Sequence, residues 1–242
     1  MNRNRPALLA LLLFPATLVF IVAQTAFAQT AEISGTISMP AAKAAPRVSR
    51  GDLYRNRMSA PAHSEMDMKQ EPVKSAFGDV IISLHPVSYK AKTTPLADAP
   101  KIGQKNAAFV PRVTVVTPNS VVQFINDDPF FHNVFSRTPG NTFSIGRRPT
   151  GDVVSKKIGE QRIVGAGEIK LFCDIHTQMS AVILSLDTPY FMRASASGLY
   201  SFKNIPDGTY ELRVYHPDLG TTMEKVELKS GQSVQKNMTL AN

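Results

Sequence analysis

The sequence predicts an all-β protein, with an antiparallel sandwich over about residues 104–186. Three observations predict it. No stretch carries the long 3.6-residue apolar period of an amphipathic helix. Short runs rich in β-branched residues alternate apolar and polar side chains, as half-buried strands do. Turn signals separate those runs, among them Pro118-Asn119, Ile205-Pro206-Asp207-Gly208 and Ser230-Gly231-Gln232.

The chain opens as an export signal. Arg3 and Arg5 form a positive start, Ala7 to Ala23 an apolar core, and Ala26-Phe27-Ala28 a small-residue cleavage site. Removal after Ala28 is expected, which places the mature protein in the periplasm or another exported location. The alternative is a retained anchor, but the apolar run is short beside the roughly 20 residues of a bilayer span. No cysteine follows the signal to carry a lipid, and no other segment is apolar enough to span.

Glu32 to Ser38 then alternates as a strand through Ile33, Gly35 and Ile37. Residues 39–77 break from globular composition: they are rich in Ala, Pro, Ser, Met and basic residues, and read as a flexible basic loop. Asp79 to Leu84 resumes as a strand, and residues 90–104 read as a linker. From Phe109 the chain is β-rich: Val113 to Val116 is β-branched and Val121 to Ile125 alternates. Residues 135–162, with Gly, Pro, Arg and Thr, read as long loops. Glu168 to Cys173 and Ala181 to Leu186 read as strands. In the tail, Ser197 to Phe202 and Tyr210 to Val214 read as a tight hairpin, and Met223 to Leu228 with Val234 to Leu240 as a further pair.

The formal charge is +8, and loss of Arg3 and Arg5 leaves +6. All of that excess lies within 29–186, because residues 187–242 hold six basic and six acidic side chains. A basic balance outside the cytoplasm favours an acidic protein partner or an anionic surface. Nucleic acid is a poor fit for an exported chain without a recognition motif.

Cysteine usage is the sharpest clue. Exported domains use cysteines in pairs, yet Cys173 stands alone in this chain. It must be free, intermolecular or metal-bound. It sits in Phe172-Cys173-Asp174-Ile175-His176-Thr177-Gln178-Met179, and upstream lies Asn126-Asp127-Asp128-Pro129-Phe130-Phe131-His132-Asn133. One thiolate (Cys173), two imidazoles (His132 and His176) and one thioether (Met179) form the donor set of a mononuclear electron-transfer copper site. Cysteine, histidine and methionine three apart on a loop between two strands can converge on one point. Zinc fits less well, because its structural sites favour several thiolates or imidazoles and rarely use methionine.

The pattern Pro111, Val121-Val122-Gln123-Phe124-Ile125-Asn126, His132-Asn133-Val134 and Cys173-x-x-His176-x-x-Met179 resembles the cupredoxins, and the short ligand loop looks most like amicyanin. The resemblance covers roughly 104–186 and implies a Greek-key β-sandwich holding one type-1 copper ion for electron transfer. By that resemblance, His132, Cys173 and His176 are the equatorial ligands and Met179 the weak axial one. Asn133 supports the site by hydrogen-bonding around the cysteine sulfur and tying the two ligand loops together. The flanking segments, Glu32 to Ile37, Asp79 to Leu84 and Gly198-x-Tyr200-x-Phe202-x-x-Ile205-Pro206-x-Gly208-x-Tyr210-x-Leu212, resemble a carboxypeptidase-regulatory-like, transthyretin-like β-sandwich. The whole resembles exported bacterial proteins of the methylamine-utilisation or plastocyanin-like kind. It implies a regulatory-like sandwich in two parts, 29–103 and 187–242, interrupted by the copper domain. The basic loop after Ser38 and the missing aspartates around Ala194 to Ser197 depart from the usual module.

Other candidates have plainer readings. His216 and His85 read as hydrogen-bonded histidines at strand ends. Met58, His63, Met66 and Met68 lie together in the basic loop and would suit weak Cu(I) capture. Asp127 and Asp128 read as turn caps, since paired carboxylates serve acid–base chemistry only in a cleft. No phosphate loop, nucleophile elbow or zinc-protease helix is present, and Ser, His and Asp show no ordered arrangement, so the expectation is not an enzyme. Against a periplasmic blue-copper carrier with an acidic redox partner stand two alternatives: a copper storage or delivery protein, and a non-redox envelope scaffold with a metal-free cupredoxin-like domain.

Overall fold

Strand β1 (Ala31–Ser38) buries every second side chain, from Ala31 through Ile33 and Gly35 to Ile37, so one face of it lies on a core. It begins the computed structural model, which describes residues 30–40, 76–158 and 167–240. The expected signal 1–28, nearly all of the basic loop, and with it Met58, His63, Met66 and Met68, lie outside the described residues. Among those described there is no α-helix, and no helix long and apolar enough to cross a membrane. The protein is all-β.

After a 3₁₀ turn (Ala76–Asp79) come β2 (Ile81–Pro86), β3 (Lys101–Lys105), β4 (Ala108–Val110), β5 (Val113–Val116) and β6 (Val121–Asn126). The middle continues with β7 (Val134–Thr138), β8 (Asn141–Ser144), β9 (Val153–Lys157), β10 (Gly167–Cys173) and β11 (Ser180–Ser185). The last third supplies β12 (Phe191–Arg193), β13 (Leu199–Ile205), β14 (Gly208–His216), β15 (Gly220–Leu228), β16 (Ser233–Gln235) and β17 (Met238–Thr239).

These strands make four sheets. The order β5-β11-β10-β7-β8 faces β4-β3-β6-β9, and the apolar faces of both meet in a core that includes Ile102, Phe124, Val134, Ile169, Leu171 and Cys173. The order β13-β1-β16, with β17 also on β1, faces β12-β2-β14-β15 over Ile33, Ile82, Tyr200, Phe202, Tyr210 and Leu212. A third cluster joins the two sandwiches: Ile81 and Tyr215 from one meet Val113, Val182, Leu184 and Leu186 from the other. Polar ties reinforce this junction. Arg112 makes a two-pronged pair with Asp218 at 2.6 and 2.5 Å, and Arg193 donates to the carbonyls of Gly78 and Val113.

Several expectations are corrected. The sandwich over 104–186 is not purely antiparallel, since β5 pairs parallel with β11 and β3 with β6. The linker over 90–104 ends inside β3, and the loops expected over 135–162 contain β7, β8 and β9. β9 is an edge strand of largely exposed residues, so it lacks the alternation that marks a strand in sequence. The tail hairpin does not form either. β13 pairs with β1, whereas β14 pairs with β2 and β15, so Ile205 to Gly208 is a corner between two sheets. Both arms point their apolar side chains into one core, which is what a hairpin would also do. The Tyr210 hydroxyl donates to the Pro206 carbonyl at 2.7 Å and braces that corner. The second expected pair separates likewise: β15 lies on β14, while β16 and β17 run parallel to β1.

Candidate metal centre

The site lies where β6 and β10 end and β7 begins. Cys173 closes β10 and pairs with Val134 at the start of β7, which brings it beside the 127–133 stretch. Met179 immediately precedes β11, the antiparallel neighbour of β10, so residues 174–178 bridge two hydrogen-bonded strands. The Met179 N–H donates to the His176 carbonyl at 3.0 Å and tightens that loop. His132 is held through a two-way backbone bridge with Arg148, at 3.2 and 2.7 Å. Asn126, fully buried, sends its amide to the carbonyls of Phe130 and Arg148 and accepts from the Asp128 N–H, which folds 127–131 into a fixed turn.

Three donor atoms converge there. Cys173 Sγ lies 3.7 Å from His132 Nδ1 and 3.9 Å from His176 Nδ1, and the two Nδ1 atoms are 3.1 Å apart, so the circle through them has a radius of about 2.1 Å. That radius is a typical metal bond length to nitrogen or sulfur, roughly 2.0–2.3 Å in zinc sites. Among the described residues this is the one cluster of three such His, Cys or carboxylate donors. Cys173 and His132 are buried, at 3% and 0% exposure, and His176 is half-buried. Inward lone pairs at these separations repel one another unless a proton or a cation lies between them. One soft sulfur with two imidazoles, all aimed at a common point, is a donor set that fits copper. Met179 is buried at 1% exposure in the same apolar cluster as Cys173, at the foot of the loop.

The surroundings fix these donors. His132 Nε2 lies 2.9 Å from Asp128 Oδ2, which is 3% exposed as a residue. Burial works against charge on Asp128, but hydrogen bonds from the Ala107 N–H, His132 and the Asn106 N–H outweigh it and hold its pKa below the usual carboxylate value. Asp128 is therefore more than the turn cap read from sequence, whereas Asp127 beside it is exposed. The signal available was its place four residues before His132. Asn133 links the two ligand stretches: its amide donates to Asp174 Oδ2 at 2.9 Å, its side-chain oxygen accepts from the Ser144 hydroxyl at 2.9 Å, and its carbonyl accepts from the Asp174 N–H at 3.4 Å. Phe130 covers the pair of histidines, its ring 5.2 Å from His132 and 5.0 Å from His176. Phe130, Phe131 and Ile175 remain exposed at this end, at 40%, 54% and 38%.

The other described histidines, His85 and His216, lie elsewhere. The His216 ring accepts from the Asp218 N–H at 3.2 Å. His85 is buried, with Nε2 3.0 Å from Ser83 Oγ and Nδ1 3.2 Å from Asp187 Oδ1, an ordered Ser-His-Asp line that the sequence did not reveal. Ser83 is 4% exposed and stands outside the cleft lined by His85, Asp187, Glu211 and Arg213, so the line runs from a buried hydroxyl to an exposed carboxylate. Burial first, then the Arg213 charge, lowers the His85 pKa despite the Asp187 carboxylate, which favours the neutral ring.

No family model matches the chain, and no curated protein matches it. Among solved structures, a copper-containing nitrite reductase from Thermus scotoductus is 20% identical over 42% of this chain, with a TM-score of 0.33; the chain spans 25% of that enzyme. A purple cupredoxin from Nitrosopumilus maritimus is 21% identical over 37% of this chain and all of its own length, with a TM-score of 0.31. An amicyanin from Paracoccus versutus is 15% identical over 43% of this chain and 98% of its own, with a TM-score of 0.32. Each overlap covers less than half of this chain.

Proposed function

We propose that this is an exported, periplasmic electron-transfer protein with one type-1 copper ion, and not an enzyme. The observation that carries the reading is the convergence of Cys173 Sγ, His132 Nδ1 and His176 Nδ1 around a point about 2.1 Å from each. Bound copper would supply a one-electron couple. Cys173, His132 and His176 would hold it, and Met179 would add a weaker thioether donor. The strands hold the donors in place. Cys173 is pinned by the pairing of β10 with β7, and His132 by Arg148 and Asp128. Such a frame limits rearrangement when charge changes at its centre. His176 is the half-buried ligand, and it stands beside the exposed Phe130, Phe131 and Ile175. A partner seated on that end comes close to a ligand ring, and small transient contacts suit such exchange. The basic balance of 29–186 suits an acidic redox partner. In this reading the other sandwich, from 29–103 and 187–242, is a regulatory-like module that carries the copper domain as an insertion.

Voltammetry of the copper-loaded mature chain tests this. The proposal expects a reversible one-electron couple that Cys173→Ser abolishes. Tight Cu(I) binding without a reversible couple would favour storage or delivery instead, and absence of copper uptake would leave a scaffold.

A further inference from the structure

A neutral imidazole carries one proton on one of two nitrogens, and only the bare nitrogen can hold a metal. In His132 the inward atom is Nδ1, 3.7 Å from Cys173 Sγ and 3.1 Å from His176 Nδ1. The outward atom is Nε2, 2.9 Å from Asp128 Oδ2. A carboxylate only accepts, so this contact puts the proton on Nε2 and leaves Nδ1 bare.

Asp128 is itself fixed on every side. Its Oδ1 accepts from the Asn106 N–H at 2.6 Å, and its Oδ2 accepts from the Ala107 N–H at 2.9 Å. Asn106 and Ala107 are the two-residue turn between β3 and β4, and both are left-handed, with φ of 55° and 52°. Two successive positive φ values define a hairpin turn that usually recruits glycine. Here neither residue is glycine, and the turn presents both N–H groups to one buried carboxylate. The Asp128 backbone is tied as well: its N–H donates to Asn126 Oδ1 at 3.0 Å and its carbonyl accepts from the Thr150 hydroxyl at 2.6 Å. Such occupancy is more than a turn cap needs.

Resting on the copper reading above, we infer that Asp128 is a positioning residue for the metal centre, setting the tautomer of His132 and holding the reduction potential of bound copper down. The second part follows from charge. A carboxylate 3% exposed and hydrogen-bonded to a ligand ring is poorly screened by water and salt. Its negative charge stabilises Cu(II) more than Cu(I), which lowers the potential. Partners of this kind typically cost about 10–100-fold in metal affinity when removed.

Three variants of the full mature chain, each loaded with copper alone, separate this role from plain structure. Asp127→Asn removes a charge one residue away but none of these hydrogen bonds, and keeps the wild-type potential and affinity. Asp128→Asn cannot satisfy the pocket. With its oxygen toward His132 its amide confronts the Asn106 N–H, and the reverse orientation confronts both the Ala107 N–H and the His132 proton. It is expected to bind copper about 10–100-fold more weakly and at a higher potential. Asp128→Leu goes further in both; should it fail to fold, Asp128→Asn carries the comparison. Nitrogen-15 resonances of the His132 ring in the metal-free chain give a readout independent of copper: Nε2–H in the wild type, with Nδ1–H gaining population in Asp128→Asn. A folded Asp128→Asn with unchanged potential and affinity overturns the inference, as does an Nδ1–H ring in the wild type. A wild type that takes up no copper overturns the metal reading instead, and the nitrogen resonances still decide the tautomer.

Discussion

Replacing Arg193 by methionine tests how the two sandwiches are joined. Arg193 ends the short strand β12, and its guanidinium donates to the carbonyl of Gly78 in its own sandwich and to that of Val113, at 2.5 Å, in the other. Methionine keeps most of the stem but provides no donor, so two carbonyls at the junction lose a cationic partner. Hydrogen bonds to charged groups are each worth about 1.5–3 kcal/mol, so the pair contributes roughly 3–6 kcal/mol before the opposing cost of desolvating the guanidinium. That cost is real here, because burial lowers the Arg193 pKa in spite of the nearby Asp79 charge. Relief of that cost offsets part of the loss, and the expected net destabilisation is about 2–4 kcal/mol. Urea unfolding of the metal-free mature chain measures it directly. Arg193→Lys keeps the charge without the fork and falls between the two. A loss below about 0.5 kcal/mol in Arg193→Met, the range of ordinary surface changes, would refute the clamp.

Three further outcomes follow from the same geometry. Gly35→Ala is expected to destabilise by at least about 1–3 kcal/mol in thermal unfolding, because an added methyl would lie 1.8 Å from the Lys236 carbonyl oxygen. Wild-type stability at that substitution would refute this packing. The depressed His85 pKa means that the unfolded chain takes up a proton before the folded one does. Its contribution is complete above the model-peptide value of 6.5 and is lost as pH falls below it, so denaturant midpoints drop on acidification and His85→Gln flattens that limb. An identical slope in wild type and variant would exclude His85 as its source. Met179→Leu keeps the copper colour but shifts the potential, which voltammetry reads; an unchanged potential would remove Met179 from the donor set.

Parts of this fold were legible because their signals are local. Cys173 and His176 share one loop between strands, so their spacing alone suggested the convergence that their donor atoms show. His132 was legible from its surrounding pattern, with Asn133 beside it. For Asp128 the sequence offered only its place four residues before His132, because its role depends on a turn 21 and 22 residues upstream whose N–H groups reach it only in three dimensions. The tail misled for a different reason. An alternation of apolar and polar residues tells which face of a strand is buried, not which strand it pairs with. Tyr200 and Phe202 share a core with Tyr210 and Leu212 whether their strands pair in one sheet or face each other across a sandwich. β9 escaped notice because Val153 to Lys157 is largely exposed and carries no alternation. The Ser83, His85 and Asp187 line was equally hidden, since Asp187 lies 102 positions from His85.

The most direct test of the central claim is the optical and spin-resonance spectrum of the mature chain after addition of Cu(II). A copper–thiolate bond at Cys173 predicts intense absorption near ~600 nm that disappears in Cys173→Ser while the protein stays folded. A colourless Cu(II) complex, or a wild-type band that survives that substitution, would contradict it.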